Sequence, residues 1–280
     1  MGYAGISMRV IDSFLAAGEQ AIAEEFIANG YIVRPVDNPA ALDELRRQVA
    51  QIVCDQLNIK LPNDVGDFLN HIGRVLPIGR LNEMRLNTYR RMNAIPWFRP
   101  TYFALARSTI ETLVGNELAM QNRINLSIQL PHDDSSLLEI HADAFGGETP
   151  FQIVEWLPLV DCYKTKSMFI LPRVKSEAIY AAFTRYEGKG MDTLYKDVEK
   201  DVVWCNVPYG HVLVFSPNYL HGGVINEESE TRWSMNCRFT GLFTPYTGAE
   251  KKLGSYYLPI TTRPVTKMAL GYREPSGFKE

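Results

Sequence analysis

The sequence predicts a mainly β protein with helices (α+β), in which a jelly-roll or sandwich core follows a helical N-terminal region. Two observations carry this. Near residue 120 the apolar spacing changes from a helical period to strict alternation. The later strands are short and follow one another without the strand–helix–strand rhythm of a parallel sheet. No repeat and no Pro/Gly/Ser-rich linker divides the 280 residues. The chain is therefore expected to form one domain, with a helical region at 1–120, a core at 121–245 and a C-terminal extension at 246–280.

Each element has its own signal. Gly18 to Asn29 reads as a helix on Ala21, Ile22, Phe26 and Ile27, stopped by Gly30. Asn38-Pro39 opens a second helix with proline at its first position and Leu42, Leu45, Val49, Ile52 and Val53 on one face. Further helices are expected at 81–93 and 100–115. Arg123 to Leu130 then alternates, placing Ile124, Leu126, Ile128 and Leu130 on one side and Arg123, Asn125, Ser127 and Gln129 on the other. Pro131 to Ser136 is a turn, and Leu137 to His141 is expected to return as a strand. Strands follow at 151–157, 167–171, 202–206, 211–216 and 231–243, with a helical insertion at about 174–200.

Composition excludes several classes. Hydrophobic residues make up 46% and charged residues 22%, as in an ordinary soluble globular protein. Lys plus Arg number 29 against 32 Asp plus Glu, so there is no basic surplus for nucleic acid or an anionic membrane. No apolar run is long enough to span a bilayer. Met1-Gly2 is not followed by Ser or Thr at the sixth position, which is Ile6. Cys54, Cys162, Cys205 and Cys237 lack C-x-x-C spacing, which fits a reducing, cytoplasmic setting. A homo-oligomer stays open.

Three chemistries lack their motifs. There is no G-x-S-x-G elbow, no H-E-x-x-H, and Gly188 to Thr193 matches neither a P-loop nor a dinucleotide fingerprint. Of the five histidines, His71 and His211 read as structural. Two H-x-D triplets remain, His132-Asp133-Asp134 and His141-Ala142-Asp143. Alternate residues of a strand share a face, so H-x-D can offer imidazole and carboxylate to one metal. His132 lies in a polar turn. His141 leads into the glycine-bearing loop Ala144 to Pro150, at a rim where a site can open. Downstream, the strand from Gly210 leads to His221-Gly222-Gly223. The strand Thr231 to Phe239 then puts Trp233, Met235, Cys237 and Phe239 on one face and Arg232, Ser234, Asn236 and Arg238 on the other. Such a polar face is costly to bury dry and fits the lining of a cavity that receives a carboxylate.

The order His141-x-Asp143, distal His221, then Arg232-x-Ser234 resembles the iron(II)/2-oxoglutarate-dependent dioxygenases. His221 follows Asp143 by 78 residues (221 − 143) and Arg232 follows His221 by 11 (232 − 221). The second spacing is similar to that of the phytanoyl-CoA hydroxylase-like branch. More closely, Ala21 to Pro35, ending Gly30-Tyr-Ile-Val-Arg-Pro35, resembles the oxygenases of sporadically distributed bacterial carbohydrate gene clusters. So does His141 to Pro172, with Pro150-Phe151, Trp156-Leu-Pro-Leu159 and Ser167-Met168.

The resemblance implies a double-stranded β-helix (jelly roll) core and Fe(II) held by His141, Asp143 and His221. It also implies 2-oxoglutarate and dioxygen as co-substrates, succinate and CO2 as products, and hydroxylation of a carbohydrate-containing small molecule. A carboxylate at Asp143 disfavours halogenation, which in related enzymes goes with a small residue there. Arg232 is the expected clamp for the distal carboxylate of 2-oxoglutarate, with Ser234 beside it. Arg238 is an alternative clamp or a second anion contact, and Asn125, Ser127 and Gln129 are candidate hydrogen-bonding partners. Trp156 and Phe145 are candidate pocket walls, with core packing the preferred reading for Trp156. The competing readings are a non-catalytic jelly-roll binding protein and a cupin-like Zn or Mn hydrolase or isomerase.

Overall fold

The computed structural model describes residues 14–246 and 250–277; the segment Met1 to Ile6 read for acylation lies outside them. Nine α-helices are described: α1 (Ala17–Asn29), α2 (Pro39–Leu57), α3 (Val65–Asn70), α4 (Leu81–Asn93), α5 (Phe98–Ala104), α6 (Arg107–Val114), α7 (Arg173–Ala181), α8 (Met191–Val198) and α9 (Pro264–Gly271). The ten strands are β1 (Tyr31–Pro35), β2 (Leu118–Gln121), β3 (Asn125–Gln129), β4 (Gln152–Pro158), β5 (Phe169–Ile170), β6 (Val203–Trp204), β7 (His211–Phe215), β8 (His221–Gly222), β9 (Arg232–Gly241) and β10 (Tyr257–Thr261).

Two antiparallel sheets form a jelly roll. The larger runs β1-β7-β4-β9-β2-β10, with β3 also paired to β9; the smaller runs β6-β5-β8. Helices α2, α4 and α5 cover the outer face of the larger sheet, where Leu42, Leu45, Val49, Met92, Phe98 and Tyr102 join Trp233, Met235, Cys237 and Phe239 in one core. The local reasons are those of the sequence. Asn38 caps α2 by accepting the Ala41 N–H at 3.1 Å, with Pro39 at the start. Gly30 ends α1 in the left-handed region at φ 80°. Strand β9 alternates as expected: its apolar set is fully buried against the helices, which turns Arg232, Ser234, Asn236 and Arg238 toward the interior of the roll.

Two expected elements are corrected. The single helix over 100–115 is broken at Leu105 and Ala106. There the Leu105 carbonyl accepts the Asp37 N–H at 2.8 Å, and the Asp37 carboxylate caps α6 by accepting Ser108 N–H at 2.8 Å and Ser108 O–H at 2.6 Å. A cap supplied from 71 positions away leaves no local sequence signal. Leu137 to His141 is not a strand. Only His141 bridges His221, and Leu138, 60% exposed, lines a cavity rather than the core. The sheet also takes β1 from the N-terminal region and β10 from the C-terminal one.

Gly222 sets how closely β8 approaches the 138–141 segment. A Cβ there would lie 2.9 Å from both the Glu139 carbonyl oxygen and the Ile140 nitrogen. Backbone atoms cannot step aside. Gly222→Ala is expected to destabilise the protein by about 1–3 kcal/mol, seen as a lower thermal midpoint. Gly115→Ala is not a comparable control, because its φ of 120° is itself strained for alanine; Gly79→Ala, in open space, is.

Candidate metal centre

His141, Asp143 and His221 converge. One ligand atom from each lies within 4.8 Å of the others, and among the described residues this is the one cluster of three or more His, Cys, Asp or Glu side chains spaced to hold a metal. The mutual bridge between His141 and His221, with both N–H···O bonds at 2.8 Å, brings the two imidazoles to 4.4 Å between ring centres. A short 3-10 turn, Asp143–Gly146, swings the carboxylate in beside them.

Hydrogen bonding fixes how the imidazoles present themselves. His141 Nδ1 donates to the Glu139 carbonyl at 2.7 Å and His221 Nδ1 to the Tyr219 carbonyl at 2.9 Å. A carbonyl only accepts, so in the neutral ring each Nδ1 carries the hydrogen and each Nε2 keeps its lone pair. Both Nε2 atoms face Asp143 Oδ1, at 3.6 and 4.0 Å. Burial, with His141 adding to it, pushes His221 down to about 4, so its imidazole is neutral at neutral pH and ready to ligate. For Asp143, burial opposes the charge. Contact with His141 and the charge and hydrogen bonds of Arg238 override it and hold the carboxyl well below the usual carboxylate range. Two imidazoles that turn Nε2 to the pocket and one carboxylate beside them are the donor set of a transition-metal site with open positions.

The triad forms one end of a cavity that opens to solvent. Leu137, Leu138, Val154, Trp156, Met168 and Phe215 provide apolar walls. Ser127, Gln129, Arg232 and Asn236 provide the polar end.

Arg232 is 7% exposed and has no acidic partner among the described residues. Its Nη1 donates to the Ser167 carbonyl and its Nη2 to Ser127 Oγ, both at 3.2 Å, while Nε has no partner. Around it, Ser234 Oγ, Ser167 Oγ and Gln129 Oε1 are also buried without partners. Burying a guanidinium without a counter-charge is costly, and burial indeed pulls this one below its ordinary range.

Arg238 lies differently. It grips Asp143 Oδ2 through Nη2 at 2.7 Å and Nε at 3.1 Å, and reaches Glu148 Oε1 at 3.7 Å and Gln121 Oε1 at 3.3 Å. Asn125 stands back from the cavity and donates to Asn236 at 2.9 Å. Phe145 is 50% exposed and packs on Tyr180 and Phe183 of the insertion, outside the cavity lining. His132 sits in its turn in the left-handed region, φ 58°, apart from the triad. His71 pairs with Asp67, four residues before it rather than after, at 2.9 Å; His211 begins β7.

Sequence reasoning missed Glu148, Gln121, Lys251, Tyr256 and Tyr257, which surround Arg238. Only Glu148, an ionisable residue five positions past Asp143, carried a signal that could have been noticed.

No protein-family model matches the sequence, and no curated protein matches it significantly. Solved structures do match in shape. A nickel complex of the non-heme monooxygenase ThoJ superposes with a TM-score of 0.55 at 15% identity, over 88% of this chain and 85% of that one. AviO1 from Streptomyces viridochromogenes Tue57 gives 0.54 at 15% identity, over 84% of this chain and 100% of that one. EctD from S. alaskensis, with 2-oxoglutarate and 5-hydroxyectoine, gives 0.52 at 15% identity, over 84% and 79%. At this identity the likeness concerns architecture: the chain has the jelly-roll fold of these proteins.

Proposed function

We propose that this protein is an Fe(II)- and 2-oxoglutarate-dependent oxygenase that hydroxylates a carbohydrate-containing small molecule. The observation that carries the reading is Arg232, a buried cation without an acidic partner in the same cavity as the triad. Arg232, with Ser127 and Gln129 beside it in the lining, makes a receptor for a carboxylate at the polar end of that cavity, and its Nε, Ser234 Oγ and Ser167 Oγ are buried behind that lining without partners. His141, Asp143 and His221 would hold the metal. Bound there, Fe(II) would supply the activation of dioxygen coupled to oxidative decarboxylation of 2-oxoglutarate.

The chain's own residues do the rest. Arg232 binds the distal carboxylate and so orients the keto-acid end toward the triad. The apolar walls exclude water from the reacting end. A Zn or Mn hydrolase or isomerase would need the buried guanidinium only for an anionic substrate, and a binding protein would need the triad only to hold its ligand through a metal; the keto acid uses both at once. The 2-oxoglutarate in the EctD structure and the monooxygenase description of ThoJ agree with this reading.

Carbohydrate as the substrate rests on the resemblance of 21–35 and 141–172. The exposed ring of Phe145, backed by Tyr180 and Phe183, offers an aromatic face of the kind against which the C–H face of a sugar ring packs. The experiment is succinate release from 2-oxoglutarate with Fe(II) and air, across nucleotide sugars, free sugars and glycolipids, with product mass recorded. Stimulated turnover and gain of one oxygen by a sugar compound are expected. Because a carbocyclase, SnoK, shares the fold at a TM-score of 0.51, loss of two hydrogens without added oxygen would replace hydroxylation. Stimulation only by an acyl-CoA or amino acid would overturn the substrate class.

A further inference from the structure

The two oxygens of Asp143 are treated differently. Oδ1 faces both imidazole Nε2 atoms, whereas Oδ2 is taken by the Arg238 fork. An arginine in this position fixes the carboxylate to offer one oxygen, but it also sets a positive charge behind a site meant for a cation. Left alone, Arg238 would neutralise Asp143 and repel the metal.

Glu148 answers that charge from the far side. It is 4% exposed and lies 3.7 Å from Arg238 Nε. Its oxygens accept from Tyr257 O–H at 2.7 Å, Tyr256 O–H at 3.1 Å, Gln152 Nε2 at 3.2 Å and Lys251 Nζ at 2.9 Å. The single Tyr257 hydroxyl hydrogen is shared between Glu148 and Gln152 Oε1. Three of these donors come from residues 251–257, the approach and start of β10, which pairs with β2 at the edge of the larger sheet. A buried carboxylate satisfied by that many donors is held in place and stays ionised beside Arg238.

We infer that Glu148 is a positioning residue for the metal site: held by the β10 strap, it balances and orients Arg238 so that Asp143 presents one oxygen with its negative charge undiminished. This rests on the reading of His141, Asp143 and His221 as metal ligands. Glu148 touches neither metal nor co-substrate and acts through Arg238. The C-terminal strap is thereby part of the site, 100 or more positions from the triad's first two members in sequence.

The test uses Co(II) as the probe on the full chain, followed by titration and by its visible absorption, with thermal unfolding of the metal-free protein measured in parallel. Glu148→Gln keeps the size and one acceptor oxygen, removes the charge and turns the other acceptor into a donor. It should weaken Co(II) binding about 10–100-fold, the range for partners that orient ligands, and shift the Co(II) spectrum. In the Arg238→Gln background, the same Glu148→Gln change should have little further effect, because the residue it acts through is gone. Equal losses in both backgrounds, or a lowered thermal midpoint with unchanged Co(II) affinity and spectrum, would make Glu148 a structural residue only and overturn the inference. Failure of the wild-type protein to bind Co(II) would instead remove the metal site itself, and the inference with it.

Discussion

His221→Ala is expected to weaken divalent-metal binding by at least about 100-fold, since loss of a partner that merely orients a ligand costs about 10–100-fold and this change removes a ligand. His221 is the most deeply placed donor of the three, packed between His141 and the Phe215 ring at 4.4 and 4.8 Å. No other described imidazole or carboxylate stands close enough to substitute. Because the ring is neutral well above its depressed value of about 4, metal uptake near neutral pH releases no proton from it. Isothermal titration with Co(II) or Fe(II) under anaerobic conditions checks both points. The comparison is the double replacement of His132 and Asp134 by Ala. His132 is held in its turn by its own backbone, N–H to the Asn226 carbonyl at 2.8 Å, and its side chain lies apart from the triad. Metal affinity should be unchanged in that variant. Equal losses in the two proteins would show that the wrong H-x-D triplet has been assigned.

What was legible in the sequence is what is local or periodic. Alternation along Thr231 to Phe239 separates the apolar set of β9 from Arg232, Ser234, Asn236 and Arg238, because a strand's faces follow directly from its period. The Asn38-Pro39 start of α2 and the Gly30 stop of α1 are likewise written in adjacent residues. The pairing of His141 with Asp143 is a two-residue spacing, and His221 followed from its glycines and its place after a strand. Other features depend on distant chain.

The break between α5 and α6 needs Asp37. The failure of Leu137 to His141 to form a strand follows from its Leu137 and Leu138 side chains facing the cavity. The environment of Arg238 needs Glu148 and β10 together. Arg232 and Arg238 are equivalent by alternation, both polar-face residues of one strand. Only tertiary structure separates them, leaving one without an acidic partner among the described residues and binding the other to Asp143. The arginine with a carboxylate already in hand is the poorer receptor for another.

That difference sets the expected behaviour of Arg232→Ala. A bidentate, charge-assisted contact to a carboxylate in a buried site contributes about 3 kcal/mol or more, so its loss should raise the 2-oxoglutarate concentration needed for half-saturation by two or more orders of magnitude. Metal binding should persist, because none of His141, Asp143 and His221 is touched. Arg232→Lys should recover little: an ammonium on a different stem cannot reproduce the planar fork that reaches Ser167 O, Ser127 Oγ and the anion together.

The unliganded protein supplies an independent readout. Arg232 is buried without a counter-charge among the described residues, so Arg232→Met, which fills similar space without the charge, should hold or raise the thermal midpoint of the free protein. At the same time it should abolish the stabilisation that 2-oxoglutarate gives the wild type by binding its folded state. Arg238→Ala should show the opposite pattern, weakening the metal more than the co-substrate, since its fork is engaged with Asp143 Oδ2. If Arg238→Ala raised the half-saturating 2-oxoglutarate concentration by two or more orders of magnitude while Arg232→Ala were nearly silent, the anion receptor would be Arg238. The buried charge of Arg232 would then be a structural cost without a ligand to offset it.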